Sequence, residues 1–132
     1  MSQENVEIVR RNNDAYNRRD LDAYFETVSE SVTFQSRFSA MDNRVYRGPD
    51  EMRRYFRELD EVWARYEMRV ERLIAVGAQV AGLFHLHAIG RGSHVELEEE
   101  PGVVFTVRDG KVSRIDAYKT HAEALEAVGL RE

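Results

Sequence analysis

The feature that most constrains the fold is an alternation of apolar and polar side chains that begins at about residue 66 and continues almost to the end of the chain. A period of two is typical of half-buried strands. Turn residues interrupt the alternation at Gly77 to Gln79, at Arg91 to Ser93 and at Asp109-Gly110, and Asp-Gly is a strong signal for a tight hairpin. The pattern predicts four long strands, YEMRVERLIAV, QVAGLFHLHAIG, HVELEEEPGVVFTVR and KVSRIDAY, joined as an antiparallel meander.

Helical spacing dominates the beginning of the chain. Residues 4 to 18 carry Val6, Val9 and Tyr16 at helical spacing, which predicts a first helix. Asp20 stands where a helix N-cap belongs, and LDAYFETVSE after it predicts a short second helix. Two helices are therefore expected before the first strand.

One further strand and two further helices complete the predicted pattern. In VTFQSRF, the side chains of one face are Val32, Phe34, Ser36 and Phe38. SAMDNRVYRGPDE is predicted to be a loop, and Gly48 with Pro49 opens a third helix. The buried stripe of that helix is Met52, Phe56, Leu59 and Trp63. THAEALEAVGL predicts a short last helix capped by Thr120 and stopped by Gly129.

Helices followed by an antiparallel meander predict an α+β domain whose helices cover one concave face of a curved sheet. The length of 132 residues predicts one domain over residues 1–132.

The chain has no cysteine, which excludes disulfides and thiol chemistry, and its net charge of -5 without a basic stripe argues against nucleic acid and anionic membranes as partners. With no apolar run long enough for a membrane span, we expect a soluble, cytoplasmic protein without a cofactor.

Four segments together carry a family resemblance. NRRDLDAYFE, VYRGPDEMRRYF, RDGKVSRIDAY and HAEALEAVGL, in this order, resemble the SnoaL-like branch of the nuclear transport factor 2-like (NTF2-like) superfamily. The resemblance implies a cone-shaped barrel in which three N-terminal helices pack on a curved, mostly antiparallel sheet, with a short C-terminal helix. It also implies a pocket between helices and sheet, and a homodimer through the outer sheet face. Members of the superfamily include ketosteroid isomerases, polyketide cyclases, dehydratases, epoxide hydrolases and proteins that only bind partners, so function depends on the site.

The catalytic acid and base of the ketosteroid isomerase branch have no counterpart in this chain. It places Asn12 where that branch has its hydrogen-bonding tyrosine, and Ser36 where it has the carboxylate base. The protonated acid of that branch falls near Gly102 or Val103. Because none of these groups is present, proton abstraction by the same machinery is not expected.

The predicted pocket is apolar, without an ionisable centre. Strand alternation and the resemblance place one set of side chains inside the cone. They are Asn12, Tyr16, Phe34, Ser36, Phe38, Phe56, Trp63, Phe84, Leu86, Val104 and Ile115, together with Ala88, Thr106 and Ala117. Large apolar walls with a few hydrogen-bonding groups suit a small hydrophobic molecule with one or two polar atoms. The alternative is that these side chains simply fill the core.

The two histidines in LFHLHAIGR are expected on the outside. His85 and His87 share a strand face opposite Phe84 and Leu86, so they point away from the cone. The same parity puts Arg114, Asp116 and Tyr118 outside with them, as a polar ladder across a two-fold axis. We predict no metal; the alternative is an ion held by both histidines and Asp116. A β-bulge at Pro101-Gly102 would reverse the inside and outside assignments nearby.

Three functions stay open at this point. The first is a homodimer that binds a small hydrophobic metabolite, with no assigned reaction. The second is an enzyme of the polyketide cyclase, isomerase, dehydratase or epoxide hydrolase kind, whose acid-base group would be Asp116, His85 or a glutamate of residues 96 to 100. The third is a non-catalytic, partner-binding module with a filled core.

Overall fold

The computed structural model describes residues 2–37 and 44–130. In these ranges the chain forms, in order, α1 (Ser2–Arg18), α2 (Leu21–Glu26), β1 (Val28–Ser36), β2 (Val45–Arg47), α3 (Gly48–Val62), β3 (Trp63–Val76), β4 (Gln79–Gly90), β5 (Glu96–Glu99), β6 (Gly102–Arg108), β7 (Lys111–Tyr118) and α4 (His121–Ala127). The predicted order of three helices, a meander and a short last helix is confirmed, and so is the α+β class.

The helices begin where the sequence places their caps. The Asp20 carboxylate accepts a hydrogen bond from the Ala23 N–H at 3.1 Å, which satisfies one of the free donors of α2. Thr120 and Glu123 form a reciprocal capping box at the start of α4. Gly48 begins α3 with a φ of +79°, a value that favours glycine. None of the helices in the described ranges is long and apolar enough to cross a membrane.

The strands form one sheet in the order β2-β1-β7-β6-β4-β3, with β5 paired to β4. All pairs are antiparallel except β1 with β7, which are parallel, as the long connection through α3 and the meander allows. Helix α1 packs on β3 and α3 packs on β1, so both cover the same face. The core between the two layers contains Val9, Tyr24, Phe56 and Phe84, all almost fully buried.

Two elements differ from the predicted ones. The stretch predicted as loop contains the three-residue strand β2, which is too short to show a periodicity. The long strand predicted from residue 94 to 108 is two strands, because proline has no N–H for the ladder and the pairing breaks before Pro101. As a result β5 pairs with the end of β4 and β6 pairs with its beginning.

The register of the β6–β7 hairpin corrects two inward assignments. A two-residue Asp-Gly hairpin without interruption would place Val104 opposite Ile115, on the face under the helices. Instead an extra residue of β7, Ser113, forms a bulge, and Phe105 becomes the partner of Ile115. The inward placement predicted for Val104 and for Thr106 is therefore wrong.

Candidate functional site

A cavity of about 310 Å³ lies between the helices and the sheet face that they cover. Of the residues expected in the pocket, those that line it are Asn12, Tyr16, Phe34, Ser36, Trp63, Phe84, Leu86, Ile115 and Ala117. The inner face therefore does not pack into a filled core. Phe56 is buried behind the wall, with its ring centroid 5.5 Å from that of Tyr16. Val104 lies on the opposite face of the sheet, and Phe38 lies outside the described residues.

Several aromatic side chains of the wall were not predicted as pocket residues. They are Tyr24, Tyr46, Tyr55, Tyr66 and Phe105. Tyr55 had a usable signal, since Met52, Tyr55, Phe56 and Leu59 follow the full helical pattern of one face. Tyr46 had none, because its position in a predicted loop gave no face to assign. Phe105 was missed because of the bulge in the neighbouring strand.

Two tyrosines from different helices meet at the cavity. The hydroxyls of Tyr16 in α1 and Tyr55 in α3 are 2.8 Å apart, a hydrogen-bonding distance. Burial raises the pKa of Tyr16 to about 12, although the hydrogen bond with Tyr55 and the charge of Arg19 act in the opposite direction. Burial also raises the pKa of Tyr55 well above its ordinary value. Both phenols are therefore neutral at physiological pH and can donate hydrogen bonds.

The side chains of Asn12 and Thr27 already form hydrogen bonds within the protein. The Asn12 amide Nδ2 donates to the Thr27 hydroxyl at 2.9 Å, and that hydroxyl donates to the backbone carbonyl of Tyr24 at 2.6 Å. The Tyr24 side chain is 2% exposed, and burial raises its pKa above the usual value. Asn12 thus links α1 to the segment between α2 and β1.

Two charged side chains also reach the cavity. Glu99 on β5 is half-buried, and among the described lining residues it is the one carboxylate. Arg44 is exposed, with its Nη1 3.5 Å from both the Tyr46 hydroxyl and the Glu58 Oε1. The Tyr46 hydroxyl in turn donates to Glu58 at 2.7 Å. The prediction that the pocket has no ionisable centre is therefore wrong at Glu99. This residue faces inward because it pairs with the inward residue Leu86 across the strands.

The histidines of β4 lie on the other face of the sheet, away from the cavity. His85 Nε2 is 2.8 Å from the Glu98 carboxylate, and His87 Nε2 is 2.6 Å from the Glu96 carboxylate. The Glu100 carboxylate is 3.5 Å from Nδ1 of His85. The outer polar groups of β4 are thus paired with the glutamates of the neighbouring edge strand.

Asp116 forms a separate polar group on the same outer face. The residue is 6% exposed, and its carboxylate accepts hydrogen bonds of 2.8 Å from Arg37 and from Arg114. The Arg37 guanidinium carbon also lies 5.1 Å from the ring centroid of Tyr118. The structure does not join this group with His85 and His87 in one ladder, because β6 separates their strands.

Neither candidate set of metal ligands is arranged for an ion. The alternative set of His85, His87 and Asp116 is not brought together, as each side chain binds other groups. In the part of the chain that the structure describes, ligand atoms of Glu71, Glu100 and His121 do lie within 4.8 Å of one another. However, His121 Nε2 is 2.9 Å from the Phe84 carbonyl, so this nitrogen carries a proton and donates it there.

Comparisons with known proteins agree with this architecture. Residues 9–115 match the family model described as SnoaL-like domain. An NTF2-like protein of unknown function from Burkholderia pseudomallei superposes with a TM-score of 0.80 at 16% identity, over 96% of this chain and 98% of that one. A proposed polyketide cyclase from Xanthomonas campestris pv. campestris gives 0.79 at 20% identity, over 97% and 98%.

TerC, crystallised with polyporic acid, superposes with a TM-score of 0.78 at 13% identity, over 95% of this chain and 98% of that one. No curated protein matches the sequence. At these identities the structural neighbours establish the fold alone, and they confirm the predicted NTF2-like architecture.

Proposed function

The chain belongs to the SnoaL-like family, and from that premise we propose that it binds a small hydrophobic molecule with one or two polar atoms in the cavity between helices and sheet. The observation that carries the proposal is the cavity itself, which stays open although its walls are mostly aromatic and apolar. Its volume of about 310 Å³ falls at the lower end of the range for ligand pockets.

The wall chemistry supports an aromatic ligand. The rings of Phe34 and Tyr55 lie 4.8 Å apart, and those of Trp63 and Tyr66 lie 5.9 Å apart, in tilted or edge arrangements that also suit a bound ring. TerC was crystallised with polyporic acid, and another structural neighbour is described as a proposed polyketide cyclase. Both descriptions are consistent with ligands of this kind. Affinity would come mainly from apolar area removed from water.

The single tryptophan of the sequence offers a local reporter for the test. Trp63 lines the cavity, so an aromatic ligand is expected to change its fluorescence on binding. We expect at least one compound from a panel of flat aromatic ketones, phenols and quinones, polyporic acid included, to change this fluorescence and to raise the melting temperature.

A matched pair of variants locates the binding. Ala117→Leu adds bulk on the cavity side of β7 and should abolish binding, whereas Thr106→Leu adds similar bulk on the opposite face of β6 and should leave it unchanged. Equal binding by both variants, or no response to the whole panel, would contradict the proposal.

The inward carboxylate of Glu99 favours a second candidate, an enzyme of the cyclase, isomerase or dehydratase kind. A half-buried carboxylate beside a bound carbonyl compound can remove a proton from the adjacent carbon. The test is exchange of that hydrogen for deuterium in heavy water. Glu99→Gln should stop the exchange and keep the binding, while exchange that is absent in the unmodified protein would exclude this candidate for the compound used.

We also propose that the outer sheet face, with His85, His87, Arg114, Asp116 and Tyr118, forms a homodimer. The support is the resemblance stated above together with the half-buried side chains of His85, His87 and Tyr118 on that face. Sedimentation that shows a monomer would contradict the dimer. The cytoplasmic location stays a prediction from the sequence.

A further inference from the structure

We propose that the ligand of the cavity is a small hydrophobic amine, whose positive charge is held by the Glu99 carboxylate and by the rings of Trp63 and Tyr66. This inference rests on the proposed function and narrows it to a ligand class. Its starting point is the charge of the cavity wall, where one carboxylate stands among aromatic side chains. It gives Glu99 a role in binding that does not depend on any reaction.

The charge of Glu99 is not balanced by the protein. In residues 2–37 and 44–130, the lining side chains that carry a formal charge are Glu99 and Arg44. The Arg44 side chain is exposed, and its Nη1 lies 3.5 Å from the Glu58 carboxylate, which compensates its charge. No side chain of the described residues forms an ion pair or a hydrogen bond with Glu99. The negative charge at the wall is therefore left for a ligand to compensate.

Glu99 also differs from the other glutamates of β5. Glu96 and Glu98 are exposed on the outer face, and each carboxylate lies within 2.8 Å of a histidine nitrogen. Glu99 is half-buried on the inner face, as is Leu97 two positions before it. A carboxylate in a mostly apolar wall loses part of its hydration, and a bound cation offsets that loss.

The strand register brings an aromatic ring to the other side of β4. Glu99 of β5 pairs with Leu86, and Tyr66 of β3 pairs with Ala88, so both side chains flank β4 on the same face. Strands β5 and β3 are about 10 Å apart across β4, which is two strand spacings. The small side chain of Ala88 leaves space between them. A charged group bound above it contacts the carboxylate on one side and the ring on the other.

The rings next to this space attract a cation. The centroids of Trp63 and Tyr66 lie 5.9 Å apart at an angle of 50°, and the Tyr16 centroid lies 6.4 Å from that of Tyr66. The face of an aromatic ring carries negative potential, and tryptophan binds cations best. A neutral ligand would cover Glu99 and take water from it without providing a partner, and an anion would be repelled. The wall therefore favours an ammonium group on an apolar body.

Two aromatic compounds that differ in charge and hardly in shape test the inference. Naphthylmethylamine is a cation at neutral pH, and naphthylmethanol has a hydroxyl in place of the ammonium group. Binding of each is measured by calorimetry in the unmodified chain and in Glu99→Gln, which keeps the shape of the side chain. Glu98→Gln removes the same charge from the outer face of the same strand and serves as the matched control.

We expect the ratio of the association constants, amine to alcohol, to be about 3- to 10-fold higher in the unmodified chain than in Glu99→Gln, in line with one partly exposed ion pair. Glu98→Gln should leave the ratio unchanged. Trp63→Leu should lower it about 2- to 5-fold, because the wall stays apolar and loses a ring face. Binding of the alcohol to each variant reports that its cavity is intact.

The net charge of -5 means that a cation can also associate with the outer surface. The Ala117→Leu variant, which adds bulk on the cavity side, separates the two locations. We expect it to abolish binding of the amine as well as of the alcohol. Amine binding that persists in this variant takes place outside the cavity and contradicts the inference.

The possible failures are distinguishable. If both compounds bind and the ratio is the same in Glu99→Gln as in the unmodified chain, or falls equally in Glu98→Gln, the role of Glu99 is wrong while the proposed binding function stands. If neither compound binds to the unmodified protein, the proposed function fails for aromatic ligands, and the inference fails with it.

Discussion

The raised pKa values of the buried tyrosines predict that the protein loses stability in alkali. Burial raises the pKa values of Tyr16, Tyr24 and Tyr55 in the folded chain, whereas in the unfolded chain each phenol ionises near pH 10. A group whose folded pKa is raised stabilises the fold fully below its unfolded pKa. Its contribution is lost as pH rises through the folded pKa, because only the unfolded chain releases the proton.

The magnitude follows from this linkage. Between about pH 8 and about pH 11, each tyrosine that stays neutral in the folded chain lowers the free energy of unfolding by about 1.4 kcal/mol. Tyr24 is 2% exposed and should show this cost in full. Tyr16, with a pKa of about 12, should show slightly less. Together with Tyr55, the loss is about 4 kcal/mol, a large share of the stability of a typical domain.

Urea unfolding followed by circular dichroism at the two pH values measures the effect. The Tyr24→Phe variant removes one ionisable group, so its stability should fall by about 1.4 kcal/mol less than that of the unmodified chain between the same pH values. Lysines and the net charge affect both proteins equally and cancel in this difference. If both proteins lose the same stability, Tyr24 ionises in the folded state and the reasoning about its burial is wrong.

Two further substitutions test contacts outside the cavity. Gly102→Ala would place a Cβ against the Ala124 Cβ and 2.9 Å from the Thr120 carbonyl oxygen, so thermal unfolding should show a loss of about 1–3 kcal/mol. An unchanged melting temperature would refute this contact. Asp116→Ala removes the buried acceptor of two arginines, and we expect a loss of about 1–3 kcal/mol in urea unfolding, at the lower end because both arginines reach solvent. A loss that does not differ from that of an exposed carboxylate would show that the network contributes nothing.

Local patterns were sufficient for most of the fold. The helix caps at Asp20 and Thr120 and the alternation of β4 depend on neighbours within a few residues, so the sequence predicts them directly. For the same reason His85 and His87 were correctly placed opposite Phe84 and Leu86 in β4. The inward residues of β4 then follow from a single choice of face.

Other parts of the site depend on contacts between distant segments. The bulge at Ser113 shifts the register by one residue, which exchanges Val104 for Phe105 at the cavity wall. Glu99 enters the cavity because the break before Pro101 lets β5 pair separately with the end of β4. Neither the bulge nor the separate pairing of β5 follows from the apolar–polar periodicity of a single segment.

The sequence by itself determined which elements form and which of their faces are apolar, since side-chain spacing and backbone conformation are coupled over a few residues. Only the tertiary structure decided that Tyr16 and Tyr55, 39 positions apart, share a hydrogen bond beside an open cavity. The physical reason is that strand register and helix packing are set by the combined fit of both layers, and a hydroxyl contact depends on that fit to within an ångström or less.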